Sequence, residues 1–509
     1  MAELRESLSQ VLSLDGDAPA LEFKLQWRTW GRLSNDARAL QQTLTDSGFG
    51  MGTRIGIVLR NRPEILSGVL GVLMADCCLA SLNASAPDER LAQDITAVRA
   101  PVLLATQADW ARDAVMRAAS QSGALCLSLT DNEQHPIAII ARGGPGADQL
   151  LQSAPGVAIE MLSSGTTGVP KRIPLSTQNL KNALQGAAAY EKDRREDEKP
   201  RLRGGVQIVT APLAHIAGIT GVLNNLLAGR KICLIEKFSV EAFADAVRRH
   251  RPKVAGAPPA AIRMILDANV PKEDLSSLVA FRTGTAPLDP AVADAFMDRY
   301  QIPVLQNYGA TEFAGGVAGW TIEDFRHFWT TKRGSVGRLN AGICGRTVDV
   351  DTGTILSAGQ LGLLEIQGPN IADGIGWVRT TDLAILDEES FLWIKGRHDN
   401  AIIRGGFKIL PDDVLRALEL HPAIREASVV GLPDVRLGQV PAAAYILKSG
   451  STPPTDEELR DFLRGHLLPY QVPTRFLRVS ELPRTASMKP NLPALRALFE
   501  QSGAADTAP

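Results

Sequence analysis

The feature that most narrows the fold is a rhythm: short strand-like runs recur between helical stretches over most of the chain. Arg54–Leu59, Pro101–Ala105, Gln207–Thr210 and Lys231–Glu236 have the length and apolar content of buried strands, while Glu64–Ala75, Val240–His250 and Pro290–Arg299 read as helices. Strands interleaved with helices need crossover connections and cover on both faces, which predicts an α/β architecture of mixed, largely parallel sheets. From Gly334 to Pro369 the texture changes to short strands and turns, with Asp351-Thr-Gly353 as a turn signal, and predicts a β-rich subdomain. After Trp393–Arg397 the chain begins again: an amphipathic helix at Asp412–Leu420, strand-like runs at Ala427–Gly431 and Ala442–Ile446, a polar loop at Ser449–Pro454, then another helix. A boundary near Asp399 is expected, giving a large N-terminal domain over 1–398 and a small α+β C-terminal domain over 399–509. No internal repeat is visible.

Composition narrows the function classes. Hydrophobic residues at 45% and charged residues at 22% are ordinary for a soluble globular protein with a large core. A formal net charge of −2 supplies no attraction to nucleic acid or an anionic membrane. Cys77, Cys78, Cys126, Cys233 and Cys344 form no C-x-x-C pair and do not cluster with histidine along the chain, which argues against a zinc site or a disulfide framework and for a reducing, cytoplasmic compartment. The first ten residues, MAELRESLSQ, lack the apolar centre of a signal peptide. The apolar run Ile65–Leu82 is interrupted by Asp76 and falls short of the ~20 residues of a membrane span, so it reads as a buried core helix. The charge run Glu191–Arg203 reads as a solvated loop, and the tail Ala504–Pro509 as a frayed end.

Chemistry concentrates first in Ser163-Ser-Gly-Thr-Thr-Gly-Val-Pro-Lys171. Hydroxyls and glycines let backbone N–H groups and side chains wrap a polyphosphate while the lysine balances charge. It is not a Walker loop, because no glycine directly precedes Lys171 and Arg172 stands where Ser or Thr belongs. A Gly/Ser/Thr loop alone is an ordinary turn; the order of these nine residues is what marks it.

The stretch resembles the phosphate loop of the adenylate-forming superfamily, which includes acyl-CoA synthetases, firefly luciferase and peptide-synthetase adenylation domains. The resemblance runs in order through almost the whole chain: Ala211–Gly218 on the substrate side, Gly284–Leu288 at the adenine, Asn307-Tyr-Gly-Ala-Thr-Glu312 beside the nucleotide, Arg379-Thr-Thr-Asp382 and Gly396–Asp399 at the ribose and hinge. It ends with Arg404-Gly-Gly-Phe-Lys408 and Pro483–Lys489 in the C-terminal domain.

That resemblance implies an N-terminal AMP-binding domain, a mobile C-terminal domain and an enzyme that turns a carboxylic acid into an acyl-adenylate with ATP and Mg²⁺. The acyl group then passes to the thiol of coenzyme A. By the same resemblance Lys489 bridges carboxylate and phosphate oxygens, Glu312 holds Mg²⁺ and Thr311 offers its hydroxyl to the α-phosphate. Ser163, Ser164, Gly165, Thr166, Thr167, Gly168 and Lys171 cradle phosphate; Gly284, Thr285 and Ala286 meet adenine. Asn307, Tyr308 and Gly309 flank the nucleotide, Asp382 accepts from the ribose hydroxyls, and Arg397 contacts ribose or phosphate. His215 and Gly218 lie on the acyl side, His215 lining or gating the pocket; Asp399 is the hinge, and Gly405 and Gly406 line the thiol channel. Three positions depart from the family pattern: Met488 and Pro490 replace the Gly and Ile around the lysine, and Thr381 replaces the Gly before Asp382.

The acceptor stays open between coenzyme A, a carrier-protein thiol and an amine, and a nucleotide-binding protein that has lost catalysis is the reading from another class. The loop Leu213–Gly218 holds no acid to anchor a substrate amine, so a free amino acid is disfavoured. Small apolar segments at Ala214–Leu223 and Ala255–Met264 suit an aryl or medium aliphatic tail.

Overall fold

A computed structural model of the protein describes residues 2–143, 152–163, 171–188, 200–372, 374–404, 407–485 and 488–505. Its largest sheet has seven strands, in the spatial order Ile137–Ala141, Leu125–Leu129, Val102–Thr106, Arg54–Leu59, Cys78–Asn83, Val157–Ser163 and Lys171–Ser176. The interior pairs are parallel and only the two outermost strands run antiparallel to their neighbours. Alternation explains how one sheet serves two cores. Ile55, Ile57, Leu79, Val102 and Leu104 enter one apolar cluster, whereas Val58, Ala80, Leu82, Leu103 and Ala105 enter another on the opposite face.

A second sheet runs Val254–Gly256, Ala280–Thr283, Val304–Ala310, Gly315–Gly319 and Arg338–Leu339, parallel over its first three strands and antiparallel after. A third joins Arg203–Val209 and Arg230–Leu234 to Pro19–Phe23 and Gln26–Thr29. Cys344–Val348, Leu361–Gln367, Val378–Leu386 and Leu392–Arg397 form an antiparallel sheet of four. Sheet membership changes after Arg397, because Ile402–Arg404 belongs to a last sheet with Phe407–Ile409, Gly438–Leu447, Ile424–Asp434 and Arg475–Arg478. This is the mixed α/β fold expected, with the small α+β unit at its C-terminal end.

Two expectations need correction. Ile65–Leu82 is not one helix: helix Pro63–Met74 ends at a turn where Asp76 takes φ +55°, and strand Cys78–Asn83 follows. Asp76 is buried and accepts from Arg5 Nη1 at 2.7 Å, so its charge marks a corner of the fold. The β-rich subdomain does not stop at Pro369 but continues to Arg397, taking in the strand that bears Asp382. Most of the charge run, 191–199, lies outside the described residues. No helix among the described residues is long and apolar enough to cross a membrane.

Candidate active site

The phosphate loop spans two strands whose ends face each other, since Ser163 pairs with Lys171 in the antiparallel ladder. Ser164, Gly165, Thr166, Thr167 and Gly168 lie outside the described residues, as do Gly405 and Gly406. Strand Lys171–Ser176 packs against the short turn Thr311–Phe313. That turn is built into the core: Phe313 is fully buried, its carbonyl accepts from Asn370 Nδ2 at 2.7 Å, and Ala314 closes it at φ +54°. Gly309 lets the flanking strands close, because a Cβ there would stand 2.2 Å from the Gly315 carbonyl oxygen. Glu312 is exposed at the tip and Thr311 half-buried beside it.

Neighbouring strand ends supply the remaining groups. The Tyr308 hydroxyl donates to Asp382 Oδ2 at 2.5 Å. Asp382 pairs in register with Arg397 on the next strand, and Arg397 Nε stands 3.8 Å from Asp382 Oδ1. Burial raises the Asp382 carboxyl above its ordinary range, while Tyr308 and Arg397 pull it back. Burial likewise raises the Tyr308 phenol, with Asp382 adding to the shift, so it remains a donor. Thr381 has a partner of its own, accepting from Arg397 Nε at 3.1 Å and Nη2 at 2.5 Å. Arg397 Nη2 also donates to Asp399 Oδ2 at 2.9 Å. Asn307 is exposed on the same strand as Tyr308, and Gly284 lies against its carboxamide. Thr285 follows at φ +74°, strained for a β-branched residue, and Ala286 is half-buried.

Lys489 reaches this cluster from the C-terminal unit. Its side chain is exposed at the surface, yet protein crowds the ammonium. Crowding first, and the Arg397 guanidinium second, lower its pKa, against the opposing pull of Asp382 and Glu312. His215 stands at the start of helix Ile216–Leu227 without capping it, and its Nε2 is buried with no hydrogen-bond partner among the described residues. Burial, and then the charge of Lys489, push His215 down to about 4. It is therefore neutral near pH 7 and a weak base, which suits a pocket wall better than proton abstraction. Gly218 has a packing role: a Cβ would stand 2.1 Å from the Pro212 carbonyl oxygen, so only glycine lets the helix approach the preceding turn.

Six residues named from sequence therefore share one electrostatic neighbourhood: His215, Tyr308, Glu312, Asp382, Arg397 and Lys489. The exposed carboxylate of Glu312, near the phosphate-loop strand, fits a hard cation that takes one or two carboxylates plus phosphate oxygens. Away from the site, Glu22, Cys233 and His250 come within 4.8 Å of one another. There Arg249 Nη1 lies 2.7 Å from Glu22 Oε1 and 3.0 Å from His250 Nε2, so a guanidinium already supplies the positive charge. Sequence reasoning missed Thr381 as a partner of Arg397 and Asn370 as the brace of the Glu312 turn; neither belongs to a recognisable charge pattern.

A family model described as AMP-binding enzyme matches residues 9–375, and one described as AMP-binding enzyme C-terminal domain matches residues 416–489. A 4-coumarate–CoA ligase-like protein of Arabidopsis thaliana is 30% identical over 353 residues, 65% of this chain and 61% of the relative; the match thus spans about three-fifths of that protein's length. A 2-succinylbenzoate–CoA ligase of Bacillus cereus is 26% identical over 510 residues, 97% of this chain and 98% of its own. The O-succinylbenzoate coenzyme A synthetase of Bacillus subtilis, solved with ATP and a magnesium ion, superposes with a TM-score of 0.77 at 22% identity. That superposition covers 96% of this chain and 99% of the other, and is a likeness of fold.

Proposed function

Because this chain belongs to the family of AMP-binding enzymes, we propose that it joins a carboxylic acid to ATP as an acyl-adenylate and passes the acyl group to the thiol of coenzyme A. The observation that supports this reading is the contact cluster of Tyr308, Asp382, Thr381 and Arg397, with the Lys489 ammonium of the C-terminal unit within reach of the charges of Arg397, Asp382 and Glu312. A carboxylate is a poor acyl donor because its leaving group would be oxide. Attack of its oxygen on the α-phosphorus of ATP expels pyrophosphate and converts that leaving group into AMP. Negative charge gathers between carboxylate and phosphate in the transition state, and a preorganised ammonium there lowers the barrier.

In this reading the loop Ser163–Lys171 cradles phosphate, Asp382 accepts from the ribose hydroxyls with Tyr308 holding its carboxylate, and Thr311 donates to the α-phosphate. Gly284, Thr285, Ala286, Asn307 and Gly309 flank the base. Glu312 would hold Mg²⁺, which when bound offsets phosphate charge. The neutral His215 lines the acyl pocket beside Gly218. Residues 399–509 then turn about Asp399, withdrawing Lys489 and bringing Gly405 and Gly406 to a channel where the coenzyme A thiolate attacks the acyl carbon and AMP departs. Small apolar walls favour an aryl or medium aliphatic acid, and the cysteine chemistry a cytoplasmic location.

A pyrophosphate-release screen over aryl and aliphatic acids, with and without coenzyme A, tests the proposal. Acid-dependent release followed by thioester formation is expected. Silence across the panel with ATP still bound would leave a nucleotide-binding protein, and adenylate that never reaches the thiol would point to another acceptor.

A further inference from the structure

Helix Pro259–Asp267 of the N-terminal part touches the C-terminal unit through two arginines. Arg263 donates from Nη2 to Glu419 Oε1 at 3.3 Å and from Nη1 to the carbonyl of Arg425. Arg425 answers in the other direction, its Nη1 3.8 Å from Asp267 Oδ2. Glu419 closes helix Pro411–Glu419, and its side chain is only 13% exposed. Burial pushes its carboxyl up to about 7; Arg263 opposes that rise, and the charges of Asp289 and Glu426 reinforce it. The carboxylate is thus costly to enclose, and Arg263 is the cation that offsets the cost from across the junction.

From this junction the contacts lead to the lysine turn. Glu426, on strand Ile424–Asp434 next to Arg425, forms an ion pair with Arg484. Arg484 Nη1 donates to the Met488 carbonyl at 2.8 Å, and Met488 directly precedes Lys489. The order is therefore Arg263, Glu419 with Arg425, Glu426, Arg484, Met488 and Lys489. A guanidinium suits its first position, since it makes one donation to a carboxylate and another to a carbonyl, where an ammonium is a single point charge.

We propose that Arg263 is a positioning residue that docks the C-terminal unit with Lys489 in the site, and that it serves the adenylate-forming step alone. The inference deepens the reading above and rests on it. Rotation of the C-terminal unit parts Arg263 from Glu419 and Arg425, so the contact belongs to one of the two working arrangements. Its loss should bias the protein toward the other.

The test compares Arg263→Gln and Arg263→Lys with the parent in two half-reactions and one distance. Arg263→Gln should slow single-turnover pyrophosphate release at least tenfold, while thioester formation from supplied acyl-adenylate stays within twofold; Arg263→Lys should fall between. Spin labels at Lys272→Cys and Lys448→Cys, both exposed, in a Cys344→Ser background, report docking without any chemistry. With and without ATP, Arg263→Gln should shift or broaden the distance distribution that the parent shows. Equal slowing of both half-reactions, an unchanged first half-reaction or an unchanged label distance would each overturn the proposal. If the parent forms no adenylate with any acid, the reading of function falls, and the docking role is then decided by the label distance.

Discussion

Two turns place opposite charges within each other's electrostatic reach, and they are built differently. The turn bearing Glu312 is held by its surroundings: Phe313 is buried, Asn370 ties down its carbonyl, and Gly309 leaves no space for a Cβ. The turn bearing Lys489 is held partly by its own backbone and partly by Arg484, which ties the Met488 carbonyl to Glu426. Met488 N donates to Thr485 O at 2.9 Å, Thr485 N to Lys489 O at 2.8 Å, and Lys489 N to Thr485 Oγ1 at 3.2 Å. Met488 sits at φ +65°, a conformation that suits the glycine found there in the family pattern and strains a methionine. The difference teaches that the acidic group hangs on the buried core of the N-terminal part, whereas the lysine sits on a turn tied by its own backbone, which the rotation proposed above would carry as one piece.

The largest expected effect breaks the comparison at the lysine turn. Lys489→Ala should slow adenylate formation by about 10²–10³, the scale of removing one preorganised donor, while leaving thioester formation from supplied acyl-adenylate nearly intact. Equal loss of both steps would deny the lysine a place in one step only. Acid sharpens the contrast next. His215, held down to about 4 from 6.5, contributes stability that is complete above pH 6.5 and disappears as pH falls through 4, on the order of 3 kcal/mol. Its charging also repels Lys489, so acid should undock the lysine turn before it melts the Glu312 turn. Melting curves of the parent and His215→Gln from pH 7 to 4 should diverge, with the variant the flatter of the two.

A smaller effect tests the fixed side. Gly309→Ala should destabilise by roughly 1–3 kcal/mol, as overpacking against backbone does, and weaken the magnesium response of adenylation; normal melting would mean the strands have room to spare. The smallest effect belongs to Met488→Gly. Relief of the left-handed strain and the added entropy of glycine nearly cancel, leaving a gain under about 1 kcal/mol and adenylation within a few-fold of the parent. A loss of stability in that variant would show that the methionine side chain, and not the backbone, holds the turn.

Legibility followed the range of the interaction. Helix Val240–His250 was readable to both ends because local chemistry sets them: the Ser239 side chain accepts from Ala242 N, and Arg251 turns left-handed at φ +45°. Ile65–Leu82 misled because apolar residues continue through both the helix and the next strand, and only the corner at Asp76 separates them. The β-rich sheet was cut short at Pro369 because its last two strands carry Asp382 and Arg397, polar residues a site requires and a strand pattern does not. The candidate site residues were named through the order of their motifs, and the structure brings Tyr308, Asp382 and Arg397 into contact. The pairing of Arg397 with Thr381 and the docking of Arg263 on Glu419, 156 residues apart, were not legible, since nothing local marks the partner of a surface arginine.

The 2.9 Å bond between Arg397 and Asp399 has a mechanical consequence. Any swivel of the backbone at Asp399 must stretch or redirect that bond, and the guanidinium at its other end also grips Thr381 beside Asp382. Under the function proposed above, Arg397 would therefore link the pivot to the wall against which a nucleotide's sugar would lie. On that proposal, a change in what occupies the wall would alter the torque on the pivot, and turning the pivot would loosen the wall.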